Sequence, residues 1–227
     1  RKVRLEIDGV AINDLVERFG SPLFVYSERT IRQKHRQMYT AFSTRYPNVV
    51  MGWSYKTNYL SSICALMKQQ GSLAEVVSEM EYQKARADGY PGDKIIFNGP
   101  HKSLAALELA ATEGAMINID HLDEIYDLEQ IALKLKRQIP VGIRLNLDAG
   151  IHPQWSRFGF NLETGQAFEA VKRIKQGAKL VLTGLHCHLG TFIMETAPYV
   201  RQIEKLVAFA YEVESAFDCS IEYLDIG

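Results

Sequence analysis

Cysteine is scarce in this sequence. Cys64, Cys187 and Cys219 are the only three in 227 residues, and no two have CxxC spacing. That argues against a disulfide framework and against a zinc knuckle. Neither sign of charge is in excess: 26 Lys and Arg face 27 Asp and Glu, for a formal charge of −1. The cations are scattered, so there is no basic stripe for nucleic acid or for an anionic membrane surface. No apolar run approaches the ~20 residues needed to cross a bilayer. No basic, then apolar, then small-residue signal segment is present, and no repeat or low-complexity tract interrupts the chain. The expectation is a cytoplasmic protein whose partners are small molecules, with no nucleic acid and no membrane. Apolar residues, by contrast, are plentiful: 47% of the chain is hydrophobic, enough for a substantial core in one large or two small domains.

Short β-like runs alternate with amphipathic helical stretches. The runs are 49–55, 73–77, 94–97, 116–119, 141–145, 180–186 and 221–226. Helices are expected over 61–70, 79–88, 103–112 with Ser103 as N-cap, 121–137, 164–176 and 198–217. In the fourth, Leu122, Ile125, Leu128, Ile131, Ala132 and Leu135 keep helical spacing. Seven apolar strands, all but the last followed by a helix, imply a parallel sheet covered by helices. The count suits a (β/α)8 TIM-type barrel lacking its eighth strand better than a doubly wound sheet. Upstream, 23–26 reads as a further strand and Ser27 as the start of a helix to about Arg45. Residues 1–26 read as a segment preceding the barrel, and 27–227 as the incomplete barrel. Pro47, Pro91, Pro140 and Gly177 fall in the expected helix-to-strand connections. With no helix following its last strand-like run, the sequence is expected to be part of a longer polypeptide.

In such a barrel chemistry gathers at the C-terminal ends of the strands. Those ends carry Lys56 and Asn58, then Ser78, Asn98, Asp120, Arg144 with Asn146, His188 and Gly227. A lysine after an aromatic-rich strand is expected to be partly desolvated, which lowers its pKa and frees the amine to capture an aldehyde; a solvated loop lysine is the alternative. His186 and His188 lie two residues apart and share a strand face, so a shared metal, a cofactor-facing imidazole and satisfied structural histidines all stay open. Gly190-Thr191 offers a backbone N–H and a hydroxyl to a phosphate. Arg144 in an apolar strand needs a partner, either an anion or a structural network. Glu75 and Glu81 bracket the second strand end, where carboxylates that merely favour a helix start are common.

The residues Tyr55-Lys56-Thr57-Asn58, Glu75-Val76-Val77-Ser78 with Glu81, Phe97-Asn98-Gly99 with Lys102-Ser103, Arg144-Leu145-Asn146, Ser156-Arg157-Phe158-Gly159, His186-Cys187-His188-Leu189-Gly190-Thr191 and Leu224-Asp225-Ile226-Gly227 occur in that order. Together they resemble the fold-type III pyridoxal-phosphate decarboxylases, the family of diaminopimelate and ornithine decarboxylases, with its alanine racemase-like barrel. The resemblance runs from about Phe19 to Gly227. It implies pyridoxal 5'-phosphate as cofactor, with Lys56 forming the internal aldimine and His188 stacking on the pyridine ring. It further implies that Gly190, Thr191 and Gly227 lie at the phosphate and that Arg144 and Glu75 line the cofactor site. Serine is commoner in the family where Thr191 stands, and aspartate where Glu75 stands. The implied activity is decarboxylation of diaminopimelate or a related basic or dicarboxylic amino acid, as in lysine biosynthesis, by a homodimer. The family's C-terminal β-domain, its partner for the pyridine nitrogen and its residues from across the dimer lie beyond Gly227. This span by itself is therefore expected to decarboxylate little.

Two other readings compete. A noncatalytic cofactor-binding or regulatory protein of the same fold is opposed by the presence of Lys56. A metal-dependent barrel hydrolase using His186 and His188 is opposed by their place after the sixth strand.

Overall fold

The computed structural model describes residues 4–227. A small hairpin, β1 (Glu6–Ile7) and β2 (Val10–Ala11), leads into α1 (Ile12–Phe19) and α2 (Glu28–Ser43). Then come β3 (Gly52–Ser54), α3 (Ser61–Gln69), β4 (Leu73–Val76), α4 (Glu79–Ala87), β5 (Ile95–Phe97), α5 (Leu104–Glu113), β6 (Met116–Ile119) and α6 (Leu122–Leu135). The chain continues through β7 (Ile139–Asn146), β8 (Phe160–Asn161), α7 (Gln166–Gly177), β9 (Leu180–Cys187), α8 (Ala197–Phe217) and β10 (Tyr223–Asp225). The main sheet runs β10-β9-β7-β6-β5-β4-β3, and β8 pairs with the end of β7. Every pairing in it is parallel. This is the expected α/β sheet: a curled barrel wall, open between β3 and β10.

Side chains alternate across each strand, and the alternation divides two environments. Outward residues such as Ala74, Val76, Ile95, Phe97, Ile117, Ile119, Ile143, Leu145 and Leu185 meet Leu107, Ile125, Leu128, Val171, Ile174 and Phe209 in one apolar core. That core is the layer between sheet and helices. The registers Ser54↔Glu75, Asn118↔Gly142 and Arg144↔His186 put a different set inward: serine, glutamate, an amide, glycine, arginine and histidine, with Ile96 and Met116 beside them. The barrel interior is thus largely polar, and its polar groups must satisfy one another.

Local chemistry sets the helix starts. Ser27, Ser78 and Ser103 each accept from the backbone N–H three residues on, capping α2, α4 and α5. Gly114 closes α5 in the left-handed conformation.

Some expectations need correction. Residues 23–26 form no strand; they run without ladder partners, and Phe24 is almost fully exposed. Their apolar, β-prone composition lacks a neighbouring edge, and pairing decides a strand more than propensity does. Pro140 lies inside β7, not in a connection. Gly177 is the last residue of α7, not part of a loop. The hairpin and β8 had no counterpart in the sequence analysis, because two-residue strands have too few positions to show alternation; α1 had none either, an eight-residue helix that buries no side chain. Among the described residues no helix is long and apolar enough to cross a membrane.

The Lys102 and Glu124 side chains are 0% and 1% exposed, with Nζ 2.9 Å from both carboxylate oxygens and 2.8 Å from Gly99 O. Replacing Lys102 with Met strands the Glu124 charge and is expected to cost about 3–5 kcal/mol in urea unfolding. The double change Lys102→Met, Glu124→Leu is expected to recover part of it. A loss for the single variant no larger than that of a surface pair, about 1 kcal/mol, contradicts the buried pairing.

Candidate active site

The rim at the C-terminal ends of the strands is built from inward positions one or two residues past each ladder. His188 follows β9 directly. Gly227, two residues past β10, lies against it: a Cβ there would come 2.8 Å from His188 Nδ1 and 3.0 Å from Cys187 O. With φ +85°, Gly227 also has a backbone conformation that disfavours side chains. The His188 ring is held by burial well below the usual imidazole range, with a pKa of about 4. The positive charges of Lys56 and Arg144 add to that depression, as does neighbouring His186, and Asp225 opposes it. At neutral pH this ring is uncharged.

Arg144 is buried on β7 and pairs with Asp120 Oδ2 at 3.1 Å. Asp120 Oδ1 accepts from Gly159 N at 3.0 Å, and Asp120 N donates to Glu124 Oε2 at 2.8 Å. Lys102, Glu124, Asp120 and Arg144 thus form a neutral line of four buried charges ending at the rim. The Arg144 guanidinium lies 5.0 Å from the Phe158 ring centroid, and its Nε is buried with no partner. Of the two partners open to this arginine, the structural network is present.

Glu75 lies on β4 and accepts from Asn98 Nδ2 at 3.1 Å. The same amide nitrogen lies 3.4 Å from Asp225 Oδ2. Asp225 in turn sits 3.0 Å from His186 Nδ1, an electrostatic contact whose geometry falls short of a hydrogen bond. Despite its burial, Asp225 is held well below the usual carboxylate range, chiefly by His186, then by the Gly227 N–H and Asn98. Glu81 accepts from Val77 N at 2.7 Å. Its pKa is raised by burial and by Glu75, against the Val77 N–H and the charge of Lys56.

Lys56 departs from expectation. It is exposed, because it leaves edge strand β3 in a tight turn closed by Thr57 N donating to Ser54 O. The aromatic residues before it face elsewhere: Tyr55 is fully buried and donates to Asp88, and Trp53 donates to Asn58 O. Its charge nevertheless reaches the rim, since it depresses both His188 and Glu81. Gly190 has φ +127° and open space beside it, Trp155 at 3.9 Å being the nearest contact, and Thr191 is exposed. Asn58, Ser78 and Asn146, gathered at the rim by the sequence reading, spend their side chains locally. They cap Leu60 N, cap α4, and hold the Phe158 and Gly159 carbonyls, respectively. Asp225, Asn118 and Tyr223 were missed as contributors; the available signal was the two-residue spacing of Tyr223 and Asp225 on β10 and the single amide in otherwise apolar β6. Among the described residues no three His, Cys, Asp or Glu side chains are grouped to hold a metal.

A family model described as the pyridoxal-binding domain of pyridoxal-dependent decarboxylases matches residues 28–227. The chain belongs to this family. The diaminopimelate decarboxylase of Aquifex aeolicus is 31% identical over all of this chain and 54% of its own length. That of Bacillus subtilis is 30% identical over 98% of this chain and 53% of its own. The crystal structure of the M. jannaschii diaminopimelate decarboxylase with L-lysine superposes with a TM-score of 0.88 at 27% identity, covering 96% of this chain and 53% of that one. The chain therefore spans about half the length of the relatives it matches. The barrel predicted from the strand count is the fold these relatives share, and the family's cofactor is pyridoxal phosphate.

Proton NMR of the His188 ring should give a titration midpoint near 4, far below the ~6.5 of a free imidazole. Because the folded value is the lower one, the unfolded chain binds more protons between those two values. This residue's contribution to stability is therefore lost as pH falls from about 6.5 towards 4 and is flat outside that window. A midpoint at or above 6.5 overturns the desolvated, cation-flanked setting.

Proposed function

We propose that this chain is the cofactor-binding part of a pyridoxal-phosphate-dependent decarboxylase acting on diaminopimelate or a closely related amino acid. The observation that carries the reading is the convergence of an accessible amine, Lys56, with an uncharged imidazole, His188, on one barrel rim. Both belong to a chain that matches the pyridoxal-binding family over residues 28–227. The residues present suit such a group. Arg144 Nε is a buried donor without a partner, Gly190 leaves open space at its Cα, and Gly227 lets the backbone pass closely.

In this reading Lys56 offers its amine to the cofactor aldehyde. His188, neutral at working pH, supplies a flat face for the pyridine ring without adding a positive charge. Gly190, Thr191 and Gly227 lie at the phosphate. Arg144, fixed by Asp120, and Glu75, fixed by Asn98, line the polar edge of the site. When bound, the cofactor accepts the electron pair left as carbon dioxide departs. The reading extends to a cytoplasmic homodimer of the full-length protein, with residues 1–26 as a segment preceding the barrel. The metal-hydrolase alternative loses ground, because His186 is turned to Asp225 in the barrel interior. The noncatalytic alternative has no observation in its favour beyond the fold.

The test is to add pyridoxal phosphate to the full-length protein, reduce with borohydride and map the modified peptide by mass spectrometry. The expected label is on Lys56, and Lys56→Ala is expected to abolish carbon dioxide release from diaminopimelate. Labelling elsewhere, with Lys56 untouched, overturns the decarboxylase reading.

A further inference from the structure

Tyr223 stands on β10, at one edge of the sheet, yet its hydroxyl donates to Asn118 Oδ1 on β6 at 2.9 Å. Between them lie β9 and β7. The phenol crosses both strands because two inward positions there have no side chain. A Cβ on Gly184 would lie 2.0 Å from Tyr223 Cζ. A Cβ on Gly142 would lie 2.4 Å from the Tyr223 hydroxyl and 2.0 Å from Asn118 Oδ1. Neither glycine has a positive φ, so the backbone does not require glycine at either position; room for the phenol does.

The chain of hydrogen bonds continues from Asn118. Asn118 Nδ2 donates to Asn98 Oδ1 at 2.7 Å, and Asn98 Nδ2 faces Glu75 Oε1 and Asp225 Oδ2. The acids set its direction. An ionised carboxylate only accepts, so the Asn98 amide must present its NH2 to Glu75 and Asp225 and its carbonyl to Asn118. Asn118 must then present its NH2 to Asn98 and its carbonyl to Tyr223, which is left to donate. Since Asp225 lies two residues beyond Tyr223 on the same strand, the chain closes on itself across the barrel.

We infer that Tyr223, Asn118 and Asn98 are positioning residues: a directed hydrogen-bonded strut that crosses the barrel interior and fixes the Glu75 and Asp225 carboxylates beneath the rim that carries Lys56 and His188. The inference rests on the pyridoxal reading of the site and adds to it three residues that touch neither Lys56 nor His188. Glu81 on α4 feels the charges of both Glu75 and Lys56, and Asp225 on β10, with its partner His186 on β9, shares the Asn98 amide with Glu75. Asn98 is the neutral group that stands between Glu75 and Asp225.

The experiment uses the full-length protein. Borohydride trapping of pyridoxal phosphate on wild-type Lys56 tests the cofactor reading without reference to the strut. Tyr223→Phe keeps the ring and removes only the terminal donor, and Asn118→Asp removes the donor to Asn98. Two quantities are read for each variant: the Asn98 side-chain amide resonance in cofactor-free protein, and the pH midpoint of the visible absorbance of the Lys56-bound cofactor. In Tyr223→Phe the Asn98 resonance is expected to move although Tyr223 touches only Asn118. The midpoint is expected to fall by ~0.5 pH unit or more, about threefold in proton affinity, because a looser Glu75 stabilises the protonated form less. The double variant is expected to shift no further than Asn118→Asp alone. An unmoved Asn98 resonance overturns the strut, and an unmoved midpoint overturns its positioning role even if the melting temperature drops. If wild-type Lys56 fails to trap the cofactor, the cofactor reading falls, while the Asn98 resonance still decides the strut.

Discussion

A parallel strand in a barrel has two faces, and in this protein only the outer one is apolar throughout, since the inner one mixes Ile96 and Met116 with polar groups. The outer face is covered by helices and takes the aliphatic residues of every strand. The inner face is left with Glu75, Asn98, Asn118, Arg144, His186, Tyr223 and Asp225, few of which can be solvated freely. Burying such groups is costly unless each finds a partner, and the rest of the architecture follows from meeting that need. Acids face amides or cations, amides face one another in a fixed direction, and glycine stands where a side chain would cut a contact. The order is imposed by ionised carboxylates, which can only accept and so orient everything hydrogen-bonded to them.

The same constraint explains why the interior charges come in compensating sets. From the α5 start to the rim, Lys102 pairs with Glu124 and Arg144 with Asp120, and the backbone N–H of Asp120 joins the two pairs by donating to Glu124. A lone arginine at the position of Arg144 would be too costly to bury, and a line that sums to zero makes it tolerable. The line also fixes where the guanidinium sits, since Asp120 is held by two further hydrogen bonds of its backbone and carboxylate. Asp225 and His186 sit 3.0 Å apart on the next two strands, with His186 in register with Arg144. One residue past β9 stands His188, whose depression comes first from burial and then from the charges of Lys56 and Arg144. Its neutrality is a consequence of that setting.

Much of the fold was legible because the outer-face residues form continuous apolar runs. Met116–Ile119 and the helices capped by Ser78 and Ser103 were readable almost to the residue. What misled was composition without a partner: 23–26 has a strand's residues and no edge to join. Lys56 was legible as a residue of interest from its place after a strand, but its solvation was not. The aromatics flanking it in sequence, Trp53 and Tyr55, point to the outer side and shield other atoms. Sequence adjacency says little about burial where side chains alternate. The polar interior was only half legible. Asn98 and Asp120 stood out as strand ends, whereas Asn118, Tyr223 and Asp225 looked like minor breaks in apolar strands, and only the register shows that they meet.

Glycine gives the last step. Gly142 and Gly184 have ordinary backbone angles and sit in the middle of long strands, where glycine costs conformational entropy and loses cross-strand packing. Neither position needs glycine for a turn. Their cost is offset by the one thing they permit, the passage of the Tyr223 phenol to a strand three places away. Filling the same interior with aliphatic side chains would pack the barrel at less cost, but it would leave the acids near Lys56 without a fixed orientation. The arrangement therefore makes sense only if the orientation of Glu75 and Asp225 matters more than the packing forgone to secure it. That places the functional demand on the inner face itself, beneath the rim where Lys56 and His188 stand.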